Sequence, residues 1–255
     1  MSIYVKITVL VVSVAILAIA GFSFTGGEAS AGEPLPGFAF IELFTSEGCS
    51  SCPPADELVS RIGKEYAGKP VYILAYHVDY WDRLGWKDPF SSAQWSERQR
   101  QYSRWFHQNG VYTPQMVVNG KTEFVGSDES KLRKAIMSPG TPASTPLNLQ
   151  LKSLSPGVAV INLTFPKVDG QELYLASVQK SATVKVTRGE NSGLTLPHTN
   201  IVRSLQQVAP GIGQVSLVLP KDFDPRNWEI IGFVQNTQTG EILAASTVNS
   251  APRLN

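Results

Sequence analysis

Both cysteines of this chain lie two residues apart, in the stretch Glu42-Leu-Phe-Thr-Ser-Glu-Gly-Cys49-Ser-Ser-Cys52-Pro-Pro. The run Phe38-Ala-Phe-Ile-Glu-Leu-Phe leads into it and reads as a buried strand. Beyond it, Ala55, Leu58, Val59, Ile62 and Tyr66 fall on one face of a helix that Gly68 ends. The pair therefore sits where a strand hands over to a helix. Cys-x-x-Cys in that setting marks a dithiol/disulfide centre. Pro53 and Pro54 add a constraint, because proline suits the first helical position but removes amides deeper in. Either the helix starts at Pro53 with Cys52 as its cap, or it is distorted there.

A second apolar run at 71–77 completes a strand–helix–strand unit, which implies a parallel pair with a right-handed crossover. The aromatic stretch 78–90 reads as a loop. Ser91 with Gln94 resembles a capping box for a helix over 92–108, with Trp95, Tyr102 and Phe106 on one side. Arg98, Arg100 and Arg104 read as its solvated face. Asn119-Gly120 between 115–118 and 122–125 signals a hairpin, and a short helix follows with Leu132, Ala135 and Ile136 inward. Residues 139–146 are a linker by composition. Beyond them Leu147, Leu149 and Leu151 alternate with polar residues, as do Ala159, Ile161, Leu163 and Phe165. Further strand-like runs follow, with a long polar loop at 188–200. The expectation is an α/β domain over 36–138 and an antiparallel β-sandwich over 147–255.

Residues 1–31 carry Lys6, an apolar run from Ile7 to Ala20 and the small residues Ala29-Ser30-Ala31. They read as a secretory signal peptide, with an uncleaved membrane anchor as the alternative. Either way the rest is expected outside the cytoplasm, periplasmic or secreted, where disulfides persist. The formal net charge is +1, which gives no electrostatic case for nucleic acid or an anionic membrane. Membrane contact would come only through the N-terminal segment.

The order β-α-β-α-β-β-α, the Cys-x-x-Cys after the first strand, and Thr113-Pro114 opening the strand before Asn119-Gly120 resemble the thioredoxin superfamily. Glu-Leu-Phe-Thr-Ser…Cys-Ser-Ser-Cys-Pro-Pro-Ala-Asp at 42–56, His-Val-Asp-Tyr-Trp-Asp at 77–82 and Tyr-Thr-Pro-Gln at 112–115 look like a family of secreted bacterial proteins of unknown function, domain of unknown function 1223. The superfamily resemblance implies a thioredoxin-like first domain. It implies a cis Pro114 against the dithiol, with Thr113 offering its carbonyl to an extended substrate. It pairs Glu42 with the buried acid that moves the resolving thiol's proton; a salt-bridged or edge-exposed acid is the equal alternative.

Cys49 is the expected nucleophile and Cys52 the resolving thiol. Tyr80 and Trp81 are read as crevice wall or partner-binding surface, and as core otherwise. His77 ends the second strand at the ligand-facing side of the sheet. It reads as a hydrogen-bonded support for the aromatic loop, and alternatively as a proton shuttle or a copper ligand with Cys49 and Cys52. His198 and Arg203 have no evident partners. The leading expectation is an exported thiol–disulfide oxidoreductase acting on protein thiols or a redox partner protein, with no bound cofactor. Its rivals are a copper-handling protein, since soft thiolates suit Cu(I), and a non-catalytic binding module of the cell envelope.

Overall fold

Every residue of the strand Ala39–Thr45 (β1) is buried, because the sheet it enters is covered on both faces. The computed structural model describes residues 37–138, 147–166, 168–209 and 211–250. The expected leader at 1–31 and linker at 139–146 lie outside them. Helix Pro53–Glu65 (α1) connects β1 to Val71–His77 (β2), which runs parallel to it from Ala39 opposite Val71 to Thr45 opposite His77. The two-residue period of β1 sorts its side chains. Ile41 and Leu43 pack with Leu58, Val59 and Ile62 of α1, whereas Phe40 and Phe44 meet Tyr76, Trp95 and Tyr102 on the other face.

A 3-10 turn at Asp82–Leu84 interrupts the aromatic loop before helix Ala93–Trp105 (α2). The cap of α2 is Ser92, whose hydroxyl accepts from the Gln94 amide at 3.2 Å. This corrects the expected cap at Ser91, whose hydroxyl instead donates to Asp82 and to the Asp88 carbonyl. The strands Gln115–Val118 (β3) and Thr122–Val125 (β4) form the expected hairpin, with Asn119 and Gly120 at positive φ. Helix Glu129–Met137 (α3) starts at Asp128, whose side chain accepts from the Lys131 amide. Among the described residues no helix is long and apolar enough to cross a membrane.

The second half contributes Asn148–Ser155 (β5), Val158–Thr164 (β6), Gln171–Lys185 (β7), Thr195–Val208 (β8), Gln214–Val218 (β9), Trp228–Asn236 (β10), Ile242–Thr247 (β11) and Asn249–Ser250 (β12). Four of these strands do not form a body of their own. They extend the first sheet into one of eight strands, ordered β11-β10-β7-β8-β2-β1-β3-β4 and mostly antiparallel. The join is parallel pairing of β8 with β2, Ile201 opposite Ala75. A second sheet, β12-β5-β6-β9, stacks Leu149, Ile161 and Leu217 on Leu173, Leu175 and Val234 of the large one. A two-layer packing is thus present, but one of its layers is continuous with the strands that carry the dithiol.

Two further contacts tie the halves. The Asn119-Gly120 turn abuts Gly240 so closely that a Cβ on Gly120 would lie 1.9 Å from the Gly240 carbonyl oxygen. The Ile242 amide donates to the Asn119 carbonyl at 2.9 Å. Beneath this turn, Arg98 is buried, against the expectation of a solvated face. Its Nε donates to Glu42 Oε1 at 2.6 Å and its Nη1 to Gln235 Oε1 at 3.1 Å. The guanidinium lies over the rings of Tyr76, Tyr102, Tyr174 and Phe233. The reason is positional: Arg98 sits three residues after Trp95 and four before Tyr102, on the inward stripe. Arg100 and Arg104 do face solvent, where both pair with Glu97.

Candidate functional site

The loop 46–52 connects β1 to α1 and is held by local turns. The Cys49 amide donates to the Ser46 carbonyl and the Cys52 amide to the Cys49 carbonyl, both at 3.2 Å. Cys49 and Cys52 form a disulfide with Cα atoms 5.4 Å apart. Cys52 is the N-cap of α1, and Pro53 and Pro54 occupy its first two positions. The first helical turn therefore offers Cys49 no amide hydrogen from those positions. Ser50 and Ser51 are exposed, but both cysteines are fully buried.

What covers them comes from two directions. Gly48 lies against Trp81, where a Cβ would come within 3.0 Å of the Trp81 Cβ. Trp81 Nε1 donates to Thr113 Oγ1 at 2.9 Å, so these two expected partner-binding residues form one edge of the site. Thr113–Pro114 is a cis peptide and Pro114 is buried. A Cβ at Gly126 would meet Pro114, Leu43 and Ala55 at 2.9–3.1 Å, so Pro114 lies near the start of α1. The Tyr80 hydroxyl donates to Gln99 of α2 and lies beside Thr113; burial first of all pushes its pKa up to about 12.

The other cover is the turn 186–194 between β7 and β8. Asn191 Nδ2 donates to the carbonyls of Glu47, at 2.8 Å, and Cys49, at 3.0 Å. The Ser50 amide donates to Glu190 Oε2 at 3.1 Å. The polar loop expected at 188–200 is shorter than that, because the residues from Thr195 on belong to β8.

Beneath the loop lies a buried ionisable cluster. The Glu47 carboxylate accepts from Trp86 Nε1 at 2.7 Å and from His198 Nε2 at 3.0 Å, while its amide donates to Asp88 Oδ2 at 2.9 Å. His77 Nδ1 lies 2.6 Å from Asp88 Oδ2, which is the supporting role expected of it. Burial presses the His77 pKa down, but Asp88 together with the charges of Asp56 and Glu47 outweighs it and the net shift is upward. Burial likewise pushes Asp88 up, yet the charge and hydrogen bond of His77 and the amides of Glu47 and Phe90 hold it below the usual carboxylate range. Asp56, four residues after Cys52 on α1, accepts from Thr45 Oγ1 at 3.0 Å; burial raises its pKa, and His198 and His77 oppose the rise.

Glu42 is not part of this site. It points with Phe40 and Phe44 to the face opposite α1, where Arg98 and Tyr102 hold both its oxygens. The salt-bridged reading of Glu42 is the one realised. The acid one helical turn from Cys52 is Asp56, and its spacing was the available signal. His198 gains Glu47 as partner, and Arg203 pairs with Asp222 and lies between the Phe90 and Trp228 rings. Glu47, Asp88, Asn191 and His198 carried no sequence signal, because topology alone brings them together. Among the described residues no group of three or more His, Cys, Asp and Glu is arranged to hold a metal ion, and the His77 nitrogen nearest a partner is committed to Asp88.

The His77–Asp88 pair predicts a pH dependence of stability. A histidine whose folded pKa is raised contributes stability that is full below its ordinary value near 6.5 and lost as pH rises through the folded value. Asp88, held low, contributes stability present above about pH 4 and lost as pH falls through its folded value. Urea midpoints of wild type and Asp88→Asn are therefore expected to differ most near pH 6 and converge as pH rises towards 9. A gap that stays constant over that range would contradict the pairing.

A crystal structure of an Agrobacterium tumefaciens protein matches with a TM-score of 0.65 and 27% identity, over 88% of this chain and 99% of that one. A domain of the outer membrane lipoprotein Omp28 from Porphyromonas gingivalis matches with a TM-score of 0.24 and 12% identity, over 42% of this chain and 88% of that domain. No curated protein matches. The sequence profile described as "Protein of unknown function (DUF1223)" matches residues 40–235, and the chain belongs to that family.

Proposed function

We propose that this protein exchanges disulfides with protein thiols through Cys49 and Cys52, outside the cytoplasm, with its first half acting as a thioredoxin-like domain. The observation that carries the reading is a disulfide closed over two intervening residues at a strand–helix junction. By the loop-closure relation so short a ring is worth only about 2 kcal/mol, against about 4.7 for a 100-residue loop. Stability is thus a weak reason for it, and exchange chemistry a better one.

In the oxidising direction a substrate thiolate attacks the Cys49 sulfur and Cys52 leaves as thiolate. A second substrate thiolate then attacks the substrate sulfur of the mixed disulfide and releases Cys49. The substrate loses two electrons and closes its disulfide; the Cys49–Cys52 pair gains them. The reverse direction uses the same steps. Trp81 and Thr113 supply the edge along which a partner segment lies, and Pro114 the packing beneath it. No cofactor is required.

The burial of both cysteines favours a second reading, an inert disulfide that fixes the loop for Asn191 to grip. One assay separates the two. Wild-type protein is expected to accelerate insulin reduction by dithiothreitol several-fold, and Cys49→Ser to fall to the uncatalysed rate. No acceleration by wild type, or acceleration retained in Cys49→Ser, leaves the structural reading standing.

A further inference from the structure

Among the described residues, two buried imidazole nitrogens have no hydrogen-bond partner: His77 Nε2 and His198 Nδ1. The opposite nitrogen of each ring faces a carboxylate, Asp88 and Glu47 respectively. An ionised carboxylate only accepts, so those nitrogens carry the hydrogens. In the neutral rings the remaining nitrogens then hold bare lone pairs. The ring centroids are 4.8 Å apart, and Thr45, whose hydroxyl donates to the Asp56 carboxylate at 3.0 Å, stands opposite His77 in the pairing of β1 with β2. Asp56 in turn sits one helical turn from Cys52, which has near-helical backbone angles.

Three proton-accepting groups thus meet below the dithiol, from α1, β2 and β8. The charged groups around them are Glu47 from the loop 46–52 and Asp88 from the aromatic loop. Asp82 stands beside Asp88, and Arg203 lies beyond the Phe90 ring. The near charges are negative, so the cluster is built to take a proton. Above it, Cys49 lacks amide hydrogens from the two prolines that open α1.

We infer that Asp56, His77 and His198 form a proton site that fills when the Cys49–Cys52 disulfide is reduced, giving the Cys49 thiolate the positive partner that its proline-capped helix withholds. This rests on the redox reading of the pair but on no particular substrate. When two thiols of a reductant close to a disulfide, they give up two electrons and two protons. The Cys49–Cys52 bond breaks, one proton goes to the Cys52 sulfur and one to the cluster, and Cys49 remains a thiolate. One negative sulfur is balanced by one added positive charge.

The test uses the full chain, oxidised and then reduced with tris(carboxyethyl)phosphine, which reduces the pair whether or not it exchanges with protein thiols. Histidine ring nitrogen signals are recorded by NMR in both states at pH 7. The inference expects His77 or His198 to become more protonated on reduction. It also expects His198→Asn to slow iodoacetamide alkylation of Cys49 at pH 6.5 about tenfold and to displace the pH–rate profile of alkylation upward by about one unit, with the far-ultraviolet circular dichroism unchanged. Ring signals that keep the same charge states in both redox forms of the wild type overturn it, whatever the variant does. So does a pH–rate profile that His198→Asn leaves in place. Insulin turnover with unchanged rings sinks this inference alone; changed rings without insulin turnover sink the exchange reading alone.

Discussion

Replacing Arg98 with methionine is expected to destabilise the protein by about 3–5 kcal/mol, the usual result of leaving one half of a buried pair uncompensated. Glu42, fully buried on β1, would lose its charged donor at 2.6 Å. Gln235 on β10 would lose its Nη1 donor, and four aromatic rings would lose their cation. At roughly 2–4 °C per kcal/mol for a unit of this size, the melting temperature falls on the order of 10 °C. The double variant Glu42→Leu/Arg98→Met is expected to recover most of that loss, because neither charge is then stranded. A single variant within 1 kcal/mol of wild type by urea unfolding would show that the pair does not hold α2 to the sheet.

Asn191→Ala is expected to speed reduction of the native disulfide by dithiothreitol about fivefold to hundredfold. The side chain makes two hydrogen bonds to buried carbonyls of the dithiol loop. At about 0.5–1.5 kcal/mol each, their loss raises the population of opened loop by that factor. The reduction rate follows this population when opening and closing are fast relative to attack. Glu190→Gln is the matched control: its contact with the Ser50 amide is exposed, and its loss changes the rate little. Equal rates for wild type and Asn191→Ala would mean that the turn 186–194 does not gate access to Cys49.

The local order of the first half was legible because it is written in local signals. The apolar run of β1, the helical spacing of Leu58, Val59 and Ile62, and Asn119-Gly120 each specify their element without help from afar. The dithiol was legible for the same reason. The rest depends on topology. The strand-like runs of β7, β8 and β10 specify strands, but not which sheet they enter. Parallel pairing of Ile201 with Ala75 is decided by what the whole chain can cover. Arg98 was misread because its charge outweighed its position, although the stripe of Trp95 and Tyr102 places it inward. Glu42 looked like a catalytic acid by register with the resembled family. The face it occupies follows from the parity of Phe40 and Phe44, and that parity sends it away from α1.

The grip of Asn191 on the loop spans 144 residues of sequence. At about 5–20 residues per second of synthesis, that separation is roughly 7–30 s. A newly emerging chain therefore presents Cys49 and Cys52 well before residues 190–198 exist to cover them. In that interval the two thiols are open to whatever oxidant or foreign thiol they meet. The order of birth makes the dithiol loop the part exposed earliest and sealed among the last.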